Sequence, residues 1–246
     1  MIDYRKLLRT SDSDLKREFP EYLRSELRYL KKNIPISQVK ILTLDIETAQ
    51  MKVKIWQLGG NDYIEPTRIL NDWFMVCWSA KSLNGKMYND RLTPAEAKSG
   101  DDERIVRALW KLLNEQDYII GHNLDNFDIK KANTRFLRYG LPIPNYYKTI
   151  DTFKIAKNNF RVSSNKLDYV CKFVGLEGKL NTGGIELWDK CEIGDAKALK
   201  KMSKYCDNDV KITEKLFIKL IPYIKNFPLV WNSILDISAL DKKDQN

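Results

Sequence analysis

The segment QVKILTLDIETA, residues 38–49, carries Asp45 and Glu47 two positions apart. Side chains alternate along a strand, so these two acids share a face while Leu44 and Ile46 point the other way. Paired carboxylates at the end of a buried strand repel each other and resist desolvation. A divalent cation between them removes both costs, and hard oxygen ligands suit Mg²⁺ or Mn²⁺. A lone Asp-x-Glu is short and common, and equally marks a strand that simply runs out into solvent.

Two more stretches hold candidate chemistry. KYCDNDVK, residues 204–211, lies in an apolar helical stripe of Leu199, Met202, Cys206, Val210, Thr213 and Phe217. Tyr205 and Asp209, at i and i+4, share a face along its edge. Asp207 is about 200° around the helix, at about 100° per residue, and is expected to face water. If one acid here meets a metal, it is Asp209; Cys206, on the stripe, reads as packing. YIIGHNLDNFDIKKA, residues 118–132, holds the only histidine, His122, with Asp125 and Asp128 after it. Asp128 falls in the first turns of a helix, where the dipole favours a carboxylate, and Asp125 in the loop before it. Periodicity alone does not separate them.

The elements that must position these groups follow from pattern. A charged helical arm over 11–33, broken near Pro20, precedes the strand at 38–49. Residues 72–92 read as a hairpin around Asn84-Gly85. An amphipathic helix over 101–116 leads to a short buried strand at 117–123 and a helix from about 126 to 138, stopped by Gly140 and Pro142. A strand feeding a helix spans 147–160, a short helix 163–176, a Gly-rich loop follows, and one or two long helices fill 194–224. Strands first, then strand–helix alternation, predict one α/β domain with a central mixed β-sheet flanked by helices.

Composition narrows the class. Of 246 residues, 43% are hydrophobic and 30% charged, as in a globular chain with ample core. No apolar run approaches the ~20 residues of a membrane span, and the N-terminus lacks a signal-peptide core, so no membrane role and a cytosolic location are expected. The four cysteines form no CxxC pair, and one histidine cannot complete a Cys/His zinc site. A net charge of +9 favours a polyanionic partner.

LDIET, HNLDNFD and YCDND, in this order, resemble the three motifs of the DEDD (DnaQ-like) 3′–5′ exonuclease superfamily. Its D-x-E is matched by Asp45 and Glu47, its N-x-x-x-F/Y-D by Asn123, Phe127 and Asp128, and its Y-x-x-x-D by Tyr205 and Asp209, the tyrosine subtype. The likeness runs from about 38 to 225, leaving residues 1–37 as an arm and 226–246 as a tail. IDTFKIAK and SNKLDYVCKFVG look like segments of stand-alone phage exonucleases related to family B polymerase proofreading domains. The resemblance implies a ribonuclease H-like fold, two Mg²⁺ or Mn²⁺ ions held by Asp45, Glu47, Asp128 and Asp209, and Tyr205 beside the attacking water. It also implies that Thr48 lies near the 3′-terminal nucleotide and that Asn123 and Phe127 support the second motif. If the chain is phage-encoded, its place is the host cytoplasm.

The expected activity is therefore hydrolysis of single-stranded DNA from its 3′ end to nucleoside 5′-monophosphates. Tyrosine, with a solution pKa of ~10, orients the water rather than deprotonating it alone. Ser164, Asn165 and Lys166 cluster at a helix start, where a strand contact and ordinary capping are both open. Lys197, Lys201, Lys204, Lys211 and Lys215 form a basic face that suits either solvation or strand guidance. Trp56 and Trp73 are candidates for base stacking or for packing. A 3′–5′ exoribonuclease on the same scaffold and a non-catalytic nucleic-acid-binding module are the alternatives; a Cys- or His-based hydrolase lacks a partner for His122. No polymerase fits in this length, so proofreading calls for a separate polymerase or replication protein. Oligomeric state is not encoded in any motif.

Overall fold

The computed structural model describes residues 2–32, 39–56, 64–83 and 85–224. Three short helices open the chain: α1 (Tyr4–Arg9), α2 (Leu15–Glu18) and α3 (Arg24–Lys32). The predicted arm helix is thus broken around Pro20, and α1 adds a helix that periodicity did not reveal. Leu7, Leu15, Phe19 and Leu27 give the arm its own small core. Leu8 joins Ile41, Tyr118 and Phe217 in a cluster at the bottom of the main body, and Arg9 ion-pairs with buried Asp117 at 3.0 Å. The expected tail, 226–246, and Asn84 of the expected turn lie outside the described residues.

The central sheet starts with β1 (Ile41–Thr48). A two-stranded ribbon, β2 (Lys52–Val53) and β3 (Ile69–Asn71), follows it; its strands are too short for alternation to reveal. Next come β4 (Met75–Ser82), β5 (Met87–Arg91), α4 (Pro94–Ser99), α5 (Glu103–Leu113), β6 (Tyr118–Gly121) and α6 (Asp128–Arg138). β7 (Lys148–Asp151), α7 (Thr152–Asn159), α8 (Leu167–Phe173), α9 (Glu186–Glu192) and the long α10 (Ala196–Leu220) complete the body. The order is β5-β4-β1-β6-β7, with β1 antiparallel to β4 and parallel to β6. This is the expected mixed sheet flanked by helices.

Two adjacent residues of β4 show how the helices lie. The Trp78 indole N–H donates to the Ile105 carbonyl of α5, while the Ser79 hydroxyl donates to Asp207 of α10. Consecutive strand residues face opposite sides, so α5 and α10 sandwich the sheet. Burial of β1 on both faces follows, with Leu42, Leu44 and Ile46 on one face and Thr43 on the other at most 2% exposed. The predicted stripe of α10 is buried from Leu199 to Phe217. Asp207 does not face water as expected: it accepts from Ser79 at 2.6 Å and from Asn89 of β5 at 3.0 Å. α10 crosses β4 and β5, so the sheet edge covers the side of the helix that an isolated wheel assigns to solvent.

Candidate active site

Asp45 pairs in register with Ser79, which places it on the α10 face of the sheet, and Glu47 follows two residues on. A bulge between Glu47 and Thr48 breaks the ladder with β4, as bulges do where a strand re-aims its side chains. α10 supplies Asp209, buried, and Tyr205, half-buried one turn earlier. Carboxylate oxygens of Asp45, Glu47 and Asp209 lie within 4.8 Å of one another. Asp128, the first residue of α6, sits beside them rather than in that set: its Oδ1 accepts the Ile46 N–H at 2.9 Å. That bond fastens the start of α6 to the acid-bearing strand.

The electrostatics are those of negative charge held out of water. Burial first, then the charge of Asp209, pushes the Asp45 carboxyl up to about 7. Burial, then the neighbouring Asp45, raises Glu47 and Asp128 well above the usual carboxylate range. Asp209 is raised by burial as well, partly offset by Lys179. Burial also lifts the Tyr205 hydroxyl to about 12, so it stays protonated near neutrality. The indole of Trp188 on α9 meets the Tyr205 ring edge-on at 6.2 Å.

Lys179 escaped the sequence reading. Its Nζ lies 2.6 Å from Asp209 Oδ2 and donates to the Tyr205 hydroxyl at 3.0 Å. Burial alone would lower this ammonium, but the Asp209 charge and these hydrogen bonds hold it above its ordinary value. Asp168 at the start of α8 fixes the loop by accepting the Lys179 N–H at 2.9 Å. A Cβ on Gly178 would collide with that Asp168 carboxylate. No spacing marks Lys179; only the glycine before it hints at a backbone under constraint. Cys206 is packed, as expected, but its thiol also donates to Asp45 Oδ2 at 3.1 Å.

The residues of 118–132 separate clearly. Asp125 accepts an ion pair from Lys154 at 2.7 Å and belongs to the surface. His122 Nε2 meets the Asn165 carbonyl at 2.8 Å, so in a neutral ring that nitrogen carries the proton, and Nδ1 lies 2.9 Å from the Thr152 hydroxyl, which itself donates to the Gly121 carbonyl. Burial lowers its pKa, which favours this neutral form. His122 therefore ties the loop before α8 to the end of β6. Asn123 adopts φ 61°, a left-handed conformation that Asn tolerates, and its N–H donates to Asp151 at 2.8 Å. Asp151, unmarked in the sequence, also caps α7 through the Phe153 N–H.

The remaining candidates stand around this centre. Thr48 is half-buried just past the bulge, and Phe127, next to Asp128, is 37% exposed. Ser164 accepts the Lys166 N–H at 3.3 Å, and Lys166 precedes α8 without a side-chain cap. Lys197, Lys201, Lys204 and Lys211 are exposed and Lys215 partly so, while Trp56 is 91% exposed.

Asp209 Oδ1 is buried and has no hydrogen-bond partner among the described residues. An orphaned carboxylate oxygen beside two more acids, all hard oxygen donors, fits a divalent cation. A family model described as RNase H superfamily matches residues 82–221. This chain belongs to the RNase H superfamily. The chain is also similar to a solved family B DNA polymerase from the hyperthermophilic archaeon Pyrobaculum calidifontis, with a TM-score of 0.56 and 20% identity. That match covers 75% of this chain but 25% of the polymerase, and at this identity it speaks for the fold alone. The search of curated proteins gave no match. No helix of this superfamily member, among the described residues, is long and apolar enough to cross a membrane.

Proposed function

We propose that the chain is a metal-dependent 3′–5′ exonuclease of the tyrosine type, releasing nucleoside 5′-monophosphates from single-stranded DNA. The observation that carries this reading is the convergence of Asp45, Glu47 and Asp209 within 4.8 Å, with Tyr205 one turn before Asp209. Asp45, Glu47 and Asp209 would hold Mg²⁺ or Mn²⁺, with Asp128 completing a set for two ions. When bound, such ions would supply a lowered pKa for the attacking water and positive charge against the phosphate and the leaving 3′-oxygen.

The chain's own groups do the rest. Tyr205, protonated and fixed by Lys179, offers its hydroxyl to orient the attacking water. Lys179 places a permanent positive charge at the edge of the acid cluster, where a phosphate would enter. Asp128 locks α6 to β1, and Phe127 and Thr48, next in sequence to Asp128 and Glu47, are the residues that would meet the terminal nucleotide. The polymerase likeness fits a proofreading role in which a polymerase outside these 246 residues supplies the mismatched end.

The test is an oligonucleotide carrying a 3′ or a 5′ label, as DNA and as RNA, with Mg²⁺, Mn²⁺ or EDTA. Monophosphate release from the 3′ end of DNA, lost in EDTA and in a folded Asp45→Ala/Glu47→Ala variant, is expected. Cleavage that persists in the double variant sinks the proposal, and faster turnover of RNA reassigns the substrate.

A further inference from the structure

A cleft of about 590 Å³ opens between the segment leading into β4, the end of α4 and the last turn of α6. Its walls include Lys52, Trp73, Lys98, Arg135, Arg138 and Glu192. Two of these cations are already neutralised. Lys52 pairs with Glu192 at 2.6 Å, and buried Arg135 pairs with Asp102, which the Tyr139 hydroxyl also approaches. Even so, Arg135 Nε is buried without a partner among the described residues.

The cleft is joined to the site by contact. Phe127 precedes Asp128, and the Lys131 ammonium lies 5.6 Å from the Phe127 ring centroid and 3.6 Å from that of Trp73. Trp73 is itself part of the cleft wall. None of the ion pairs among the described residues involves Lys131, Arg138 or Lys98, although Asp72 on the cleft wall lies close enough to favour the Lys131 charge. From Asp128 to Arg138 the helix rises about 15 Å, at 1.5 Å per residue. A compact anion needs converging donors. Cations spaced along such a line suit an extended polyanion instead.

We propose that this cleft, with Lys131 at its Trp73 wall, is a second contact surface for the nucleic-acid strand, where Lys98, Lys131 and Arg138 take backbone phosphates upstream of the 3′ end. The proposal rests on the exonuclease reading and extends it to the path of the substrate. Burial lowers the Lys131 pKa, and an incoming phosphate would offset that cost. Trp73 keeps the ammonium in place through its ring face.

The experiment uses the full chain with Asp45→Ala/Glu47→Ala, so that nothing is cleaved, and fluorescent oligo-dT of 3 or 12 nucleotides. Anisotropy gives affinity across a salt series, with and without Lys98→Glu/Arg138→Glu. The expected result is a 10- to 100-fold weaker 12-mer, an unchanged trimer, and a log–log salt slope shallower by about 1.4, at about 0.7 per phosphate. Lys98→Ala/Arg138→Ala should shift the same way by less, and Lys111→Glu on α5 should shift neither. An unchanged 12-mer affinity and slope, in variants that melt like the parent, overturns the proposal. The two readings fail differently. A wild-type chain that releases no mononucleotide in Mg²⁺ or Mn²⁺ refutes the exonuclease. A cleaving chain with an unmoved salt slope refutes the cleft alone.

Discussion

Lys179 and Asp209 form an ion pair inside the acid cluster, Nζ to Oδ2 2.6 Å, with Asp209 fully buried and Lys179 partly exposed. Neither residue is near the other in sequence, and the pair joins the Gly-rich loop to α10. In the absence of a metal this ammonium is the cation that makes the buried acids tolerable. Removing one partner of such a pair leaves a buried charge uncompensated.

Lys179→Met should therefore cost about 2–4 kcal/mol of stability in EDTA at neutral pH. Saturating Mn²⁺ should recover a large part of it, because a divalent ion supplies the missing charge. Chemical denaturation with and without metal checks this, and an EDTA midpoint equal to wild type refutes the role given to Lys179.

A second prediction concerns pH. Asp45 titrates at about 7 in the folded chain, against about 3.9 when unfolded. Between those values the folded state binds more protons than the unfolded one, so stability falls as pH rises. Stability from this group is full below about pH 4, declines through pH 7 and is flat above it. Asp45→Asn removes that dependence and should raise the metal-free Tm at pH 8 by roughly 2–4 °C per kcal/mol recovered. The same variant at pH 4 should melt close to wild type. A Tm gain of equal size at both pH values would contradict the assignment.

Tyr205→Phe separates positioning from packing. The ring stays against Trp188, so fold and metal-dependent stabilisation should be unchanged. Loss of the hydroxyl that Lys179 fixes should slow single-turnover cleavage by about 10- to 100-fold, the usual cost of a misplaced reactant. Full activity under chemistry-limited conditions rules the role out.

Whatever is local was legible in the sequence. Strand alternation put Asp45 and Glu47 on one face, and helix periodicity put Tyr205 and Asp209 on another, because both patterns close within four residues. Asp125 and Asp128 could not be told apart from spacing, since what separates them comes from elsewhere: Lys154 on α7 claims one, and the Ile46 N–H claims the other. Lys179 was illegible for the same reason, because its backbone is held by Asp168 eleven residues earlier. Asp207 was misjudged because a helical wheel knows nothing of the sheet edge that covers it.

Asn123 offers the sharpest test of a motif residue whose part is still divided between substrate contact and backbone geometry. Its φ of 61° is reached freely by glycine and poorly by β-branched residues, which pay roughly 1–2 kcal/mol there. The N–H that bonds Asp151 belongs to the backbone and survives any substitution but proline. If geometry is the whole role, Asn123→Gly keeps both stability and KM, while Asn123→Val loses stability and disturbs the start of α6, and Asp128 with it. If the side chain touches the substrate, Asn123→Gly melts like wild type but shows a raised KM on DNA. Thermal melts beside steady-state kinetics on the two variants decide between them, because only substrate contact separates KM from Tm.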